Sequence, residues 1–140
     1  MASEASAENK PPVLSVMLAV SDVPMAVEWY KRAPGAVELW STGSVAALHI
    51  AGTPLLLGEP AGSWETPLKL GMTSTRIEVF CDAPDDPIAI ALRAGAKGSL
   101  DDVEDHQRPW GIHRQGGFID PFGHIWLVGD RSPLDAFSRR

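Results

Sequence analysis

The chain has 140 residues, with 12 Lys and Arg against 18 Asp and Glu and a formal net charge of −6. That length suits one domain with one core, and an acidic balance without clustered Lys and Arg excludes nucleic acid as the main partner, because phosphate binding needs such clusters. No apolar run reaches the ~18 residues of a membrane span, and the lone cysteine, Cys81, excludes an intramolecular disulfide and fits a reducing, cytoplasmic setting.

Residues 1–12, rich in Ala, Ser and Glu and closed by Pro11-Pro12, lack the basic start and apolar middle of a signal peptide and read as a disordered tail. The pattern predicts a short apolar strand over 13–20, closed by Ser21-Asp22. Asp22 is placed to cap a helix, its carboxylate accepting from the free N–H groups of the first turn, with Pro24 where no N–H partner is needed. That helix carries Ala26, Val27, Trp29 and Tyr30 and stops near Pro34-Gly35. Strands over 36–41, 45–50 and 54–57 follow, separated by Thr42-Gly43 and Ala51-Gly52 turns in which glycine supplies the positive φ. The first half therefore reads βαβββ.

Residues 60–73 contain Pro60, Gly62, Pro67 and Gly71 without any period and read as a connector. The pattern then restarts with a strand over 75–81, a helix over 84–94 carrying Ile88, Ile90, Ala91 and Leu92, and Gly95 as its stop. A strand over 96–103, a polar loop over 104–108, a strand over 111–119 interrupted by Gly116-Gly117, a turn at Asp120-Pro121-Phe122-Gly123 and a last strand over 124–128 complete a second βαβββ unit. Residues 131–140 read as a tail, with Leu134 and Phe137 leaving docking open. The organisation is thus one domain over 13–130, with modules at 13–59 and 74–130. An echo at an offset of 60 residues supports it: Asp22, Pro24 and Gly35-Ala36 recur as Asp82, Pro84 and Gly95-Ala96. One unit used twice places the functional surface where the copies meet.

The segment Trp110-Gly111, Arg114 and Asp120-Pro121-Phe122-Gly123-His124-Ile125-Trp126 resembles the closing motif of the vicinal oxygen chelate superfamily, the fold of glyoxalase I, bleomycin-resistance proteins and extradiol dioxygenases. It looks most like the PhnB-like branch. Ala19-Val20-Ser21-Asp22, Ala26 and Trp29-Tyr30 resemble the first strand and helix of that family. The resemblance implies an α+β fold in which two βαβββ modules form a glyoxalase/bleomycin-resistance-type concave sheet with helices on the outer face. It also implies a small-molecule ligand and a homodimer in which a half from each chain completes the cleft. The fold by itself does not select a chemistry.

In metal-dependent relatives the concave sheet carries His or Glu ligands on the first strand of each half and a Glu on the last strand. Those positions fall here on Ser15, on Leu127, and on either Thr75, by the repeat offset, or Arg76, counting back from Cys81. None is a His or a carboxylate, so the resemblance implies an empty chelate with no metal and no cofactor. Among the histidines, His106 reads as a solvated loop residue and His124 as the holder of a structural hydrogen bond. His49 alternates away from Leu48 and Ile50 and so faces the cleft or the hairpin edge.

Alternation in the strand after the connector leaves Arg76, Glu78 and Phe80 on the concave side with Ile77, Val79 and Cys81 under a helix. The competing register would bury Arg76 and Glu78 at a cost of roughly several kcal/mol. In the preferred one, Arg76 is placed to hold an anionic group in bidentate fashion, and Glu78 pairs with it or accepts from a ligand amine. Trp29 and Trp126 read as core and Cys81 as a buried thiol. Trp40, Trp64 and Trp110 offer flat faces to an aromatic ligand, Trp64 from a connector long enough to close as a lid. The candidate ligand-binding residues are thus Trp40, His49, Trp64, Arg76, Glu78, Phe80, Trp110 and Arg114. Two readings stand. One is a metal-independent protein that sequesters an aromatic or amphipathic ligand, as drug-sequestering resistance proteins do. The other is a lyase, isomerase or dioxygenase-like enzyme using Glu78 or His49 for acid–base work, with or without a rearranged divalent metal site.

Overall fold

Asp22 starts the first helix as its chemistry requires. In a computed structural model that describes residues 9–98 and 103–138, its Oδ1 accepts from the Met25 N–H at 3.0 Å, and Glu59 reaches back to accept from the Val23 N–H at 3.1 Å. Two of the helix's free donors are thereby satisfied. The first half runs β1 (Val16–Ala19), α1 (Val23–Arg32), β2 (Val37–Ser41), β3 (Val45–Ile50) and β4 (Thr53–Gly58). Its sheet has the order β1-β4-β3-β2, with β1 parallel to β4 and the other pairs antiparallel.

The connector holds one short helix, α2 (Pro67–Leu70), capped by Thr66 and ended by Gly71 at φ +82°. The second half runs β5 (Arg76–Phe80), α3 (Asp85–Arg93), β6 (Lys97–Gly98), β7 (Glu104–Arg108), β8 (Gly111–Ile119) and β9 (Ile125–Gly129). Its sheet follows the same path, β5-β9-β8-β6, with β7 also paired to β8. Gly35 and Gly95 end the two long helices at positive φ, +79° and +106°, which is the role the repeat assigns them. The architecture is the expected α+β arrangement of two βαβββ units, as two sheets that do not close on each other.

Several expectations change. Residues 104–108, expected as a loop, form β7, with Asp105 opposite Arg114 and His106 opposite His113. The strand Glu-Asp-His-Gln-Arg is polar throughout, so an edge strand carried no apolar alternation to betray it. β8 runs unbroken through Gly116-Gly117. At Gly116 a Cβ would lie 2.8 Å from the Val103 Cα, so this glycine serves a close backbone approach. The strand expected over 96–103 is seen as Lys97–Gly98, and 99–102 lie outside the described residues. Residues read as a tail form α4 (Ser132–Ser138), which rests against β8. Cys81 is half-buried, because β5 ends one residue before it.

The core lies between the sheets. Leu18, Leu48, Leu55 and Leu57 pack beneath α1, each contributing about 2 kcal/mol by burial. From the other side of α1, Trp29 donates its indole N–H to the Ala94 carbonyl at 2.7 Å, and the Tyr30 ring lies 5.9 Å from that of Trp126. Asp120, 2 % exposed, closes the join. Its Oδ1 accepts from the Phe122 and His124 N–H groups at 2.9 Å each, and its Oδ2 from the Tyr30 hydroxyl and the Trp126 indole. His124 donates to the Ala19 carbonyl at 2.8 Å, the structural bond expected of it. Among the described residues no helix is long and apolar enough to cross a membrane.

Candidate functional site

With α1 on the core face of the first sheet and its Trp29 and Tyr30 reaching the second half, the other face of each sheet is left open. Across the first of these runs the row Met17, Leu56, Ala47 and Trp40, each in register with the next, and beside it Pro54, His49 and Val37. Met17, Val37 and Trp40 are exposed, Trp40 at 48 %. Trp64 returns from the connector onto the same face: a Cβ at Gly58 would meet its ring at 3.3 Å, so the glycine admits the indole. A cavity of about 370 Å³ lies behind it, between β1 and connector residues such as Leu70 and Met72.

The second open face mixes charged and apolar side chains, with Ile125 and Leu127 in register with Arg76 and Glu78. Arg76 and Glu78 are exposed, whereas Ile77 and Val79 pack against the core. Glu78 accepts from the Gln115 side-chain amide at 2.8 Å. Gln115 and Gly129 pair in register, and Phe80 lies opposite Gly129, so these residues share a row. Sequence reasoning passed over Gln115, although its alternation with Gly117 in β8 was a usable signal.

Trp110 and Arg114 are held elsewhere. Trp110 stands in the β7–β8 turn and donates to the Ser132 hydroxyl at 2.9 Å, lining a cavity of about 400 Å³ with Ser132, Asp135 and Ala136 of α4. Arg114 makes two 2.8 Å bonds to Asp85 at the start of α3 and a third, 3.1 Å, to Asp105. Its hydrogen bonds hold the Asp85 carboxyl below the usual range. The guanidinium is thus engaged by carboxylates of its own chain. Near it, His113 is buried with Nε2 unpaired, 3.7 Å from Asp130. Burial acts to raise the Asp130 pKa, but hydrogen bonds from the Arg114 N–H and from Ser132 outweigh it and the carboxyl is lowered.

The acid–base candidates Glu78 and His49 lie on different sheets, and among the described residues no hydrogen bond or ion pair joins them. The positions assigned to a metal do not fit one. Ser15 precedes β1, Thr75 precedes β5, Arg76 faces Ile125, and Leu127 faces Glu78. Among the described residues no three His, Cys, Asp or Glu side chains converge. A divalent cation needs such donors, and no chemical step is routed through one here.

A further cleft of about 420 Å³ separates the two halves along β5. Val16, Ile50, Pro54 and Leu55 line it from the first half and Ile77, Glu78, Phe80 and Trp126 from the second, with Arg131 and Leu134 at one end. Arg131 belongs to a segment that carried no sequence signal.

Comparison with known proteins places this geometry. A sequence model of the Glyoxalase/Bleomycin resistance protein/Dioxygenase superfamily matches residues 13–128. The uncharacterized protein Rv0887c of Mycobacterium tuberculosis is 36% identical over 132 residues, covering 86% of this chain and 75% of that protein. The crystal structure of TioX from Micromonospora sp. ML1 is similar at TM-score 0.67 and 25% identity, covering 86% of this chain and 98% of TioX. FosX from Listeria monocytogenes, a fosfomycin resistance protein solved with Mn(II) and sulfate, shares the fold at TM-score 0.66 and 15% identity, over 92% of this chain and 99% of FosX.

Proposed function

We propose, for a chain that belongs to the Glyoxalase/Bleomycin resistance protein/Dioxygenase superfamily, a metal-independent small-molecule-binding role in which an aromatic or amphipathic ligand is sequestered on the open sheet faces. The observation that carries this is the uncovered apolar face of the first sheet, where Met17, Val37 and Trp40 are exposed together. A flat aromatic ring beside aliphatic side chains is a stacking platform, and a ligand site needs little more than such a surface with a few placed polar groups.

The second open face offers the polar groups, Arg76, Glu78 and Gln115. A homodimer would bring the platform of one copy to the anchors of the other. This reading also keeps the PhnB-like branch, on the strength of the motif from Trp110 to Trp126, and a cytoplasmic setting, on the strength of a single free thiol. The missing donor set at Ser15, Arg76 and Leu127 supports metal independence.

Tryptophan fluorescence titration against a panel of aromatic natural products tests it, with elemental analysis of protein purified without chelator. A saturable change that Trp40→Ala abolishes, and no stoichiometric metal, are expected. A folded protein that responds to nothing in the panel sinks the binding role, and stoichiometric zinc, iron or manganese sinks the metal-free one.

A further inference from the structure

The cleft between the halves does not end at β5. Ile50, Ala51, Val79 and Trp126 also wall an adjoining inner lobe of about 170 Å³, lined besides by the buried Phe118 and Val128 and by Pro34. Every side chain of this lobe is apolar except the Cys81 thiol, and burial pushes that thiol up, keeping it neutral at ordinary pH. An apolar space of this kind suits a hydrocarbon better than water, which needs polar partners. The volume left open is packing that a ligand can supply.

The outer lobe supplies the polar end. Of its two charged side chains, Glu78 already accepts from Gln115. Among the described residues the exposed Arg131 has no side-chain partner, and it sits where β9 gives way to α4. An occupant with a charged end therefore meets an unengaged guanidinium, which favours a carboxylate.

A third observation concerns the hairpin tip that walls both lobes. Ala51 has φ +51°, alone among the described residues other than glycine in having positive φ. Asn tolerates that region better than Ala does. An alanine here costs backbone energy while presenting only a methyl group to the cleft.

We infer that this inter-module cleft is a binding site for a small amphipathic carboxylate, with its hydrocarbon in the inner lobe and its carboxylate on Arg131. The site borders the open sheet faces, sharing Pro54, Glu78 and Phe80 with them, but takes in neither Trp40 nor Met17, and its test does not depend on the reading given for those faces. The test follows Trp126 fluorescence in the full-length protein during titration with decanoate, decanol and decylamine. Decanoate is expected to bind saturably at one per chain, decanol about tenfold more weakly for want of the charge-assisted bond, and decylamine not measurably. Arg131→Gln should bring decanoate down to the affinity of decanol and leave decanol unchanged. Ala51→Asn should fold at least as stably as the parent and weaken both. Trp40→Ala, on the first open face, should leave decanoate binding intact.

No saturable binding of decanoate, equal binding of acid and amine, or retained acid preference in Arg131→Gln overturns the assignment. Loss of decanoate binding in Trp40→Ala also overturns it, by moving the site to the open face. Failure of the aromatic panel described above would leave these outcomes unaffected.

Discussion

In the first half, the row across the open sheet face reads Met17, Leu56, Ala47 and Trp40; in the second, the residues on the corresponding face include Arg76, Glu78 and Gln115. The core faces of the same strands show no such contrast. Leu18, Leu48 and Leu57 in one half and Ile77, Phe118, Trp126 and Val128 in the other are all apolar. Burial constrains the inner face of each copy in the same way, since a polar group there must find a partner or cost several kcal/mol, roughly. The outer faces are free of that constraint and differ: the first carries the Met17–Trp40 row, the second Arg76, Glu78 and Gln115 among Ile125, Leu127 and Phe80. Duplication preserved what packing requires and released what it does not.

The clamp at Asp120 belongs to the second half alone: it stands in the β8–β9 turn, and the matching β3–β4 turn of the first half is Ala51-Gly52, without a carboxylate. Asp120→Ala strips four donors of their acceptor in a buried site. Urea unfolding is expected to show a loss of about 4 kcal/mol. A loss below about 1 kcal/mol would mean that apolar packing and the Trp29–Ala94 and His124–Ala19 bonds hold the halves together without the clamp.

A glycine in each half makes a second comparison. At Gly116 the new Cβ would strike Val103 backbone, whereas at Gly58 it would meet the Met17 methyl at 3.0 Å and the Trp64 ring at 3.3 Å. Backbone cannot yield as side-chain ends can. Gly116→Ala should therefore cost about 1–3 kcal/mol, and Gly58→Ala less, with its effect appearing instead as a changed Trp64 fluorescence. Equal costs would show that Trp64 is fixed as firmly as a strand.

The helix starts sharpen the comparison further. Asp22 caps α1, but its echo Asp82 does not cap α3, whose N-cap is Pro84 with no side-chain bond. Asp22→Ala should cost about 1 kcal/mol, and Asp82→Ala should fall within about 0.5 kcal/mol of the parent.

The smallest effect is one of pH at the C-terminal helix. The Asp130 carboxyl is lowered in the folded chain, so it stabilises the fold above its unfolded value of about 4. That contribution is lost as pH falls below about 4 and through the lowered pKa. Asp130 accepts from the Ser132 N–H at 3.0 Å, and Ser132 in turn holds Trp110. Acid should therefore change Trp110 fluorescence before global unfolding, and Asp130→Asn should remove the dependence. An unchanged acid transition in that variant would assign it to the exposed Asp85–Arg114 pair.

Much of the fold was legible because local chemistry and packing agreed. Periodicity revealed the strands of the first half, and Gly35 and Gly95 marked both helix ends. β7 was invisible because each of its residues is polar, so its hairpin with β8 carried no apolar alternation. Even the repeat misled in one respect. An offset of 60 aligns the helices but equates Leu18, which is buried, with Glu78, which is exposed. Alternation, not the offset, places Arg76 on the open face.

For the site, residue types at the positions the resemblance assigns, Ser15, Thr75 or Arg76, and Leu127, determined that none supplies the His or carboxylate of the family's metal centre. Residue type also determined which strands would carry apolar inner faces, since burial selects for them. Only the tertiary structure decided that Arg114 is engaged by Asp85 and Asp105, that Trp110 holds α4, and that Arg131 lines a cleft between the halves. Those outcomes rest on contacts between residues far apart in the chain, and no local pattern encodes which charge meets which.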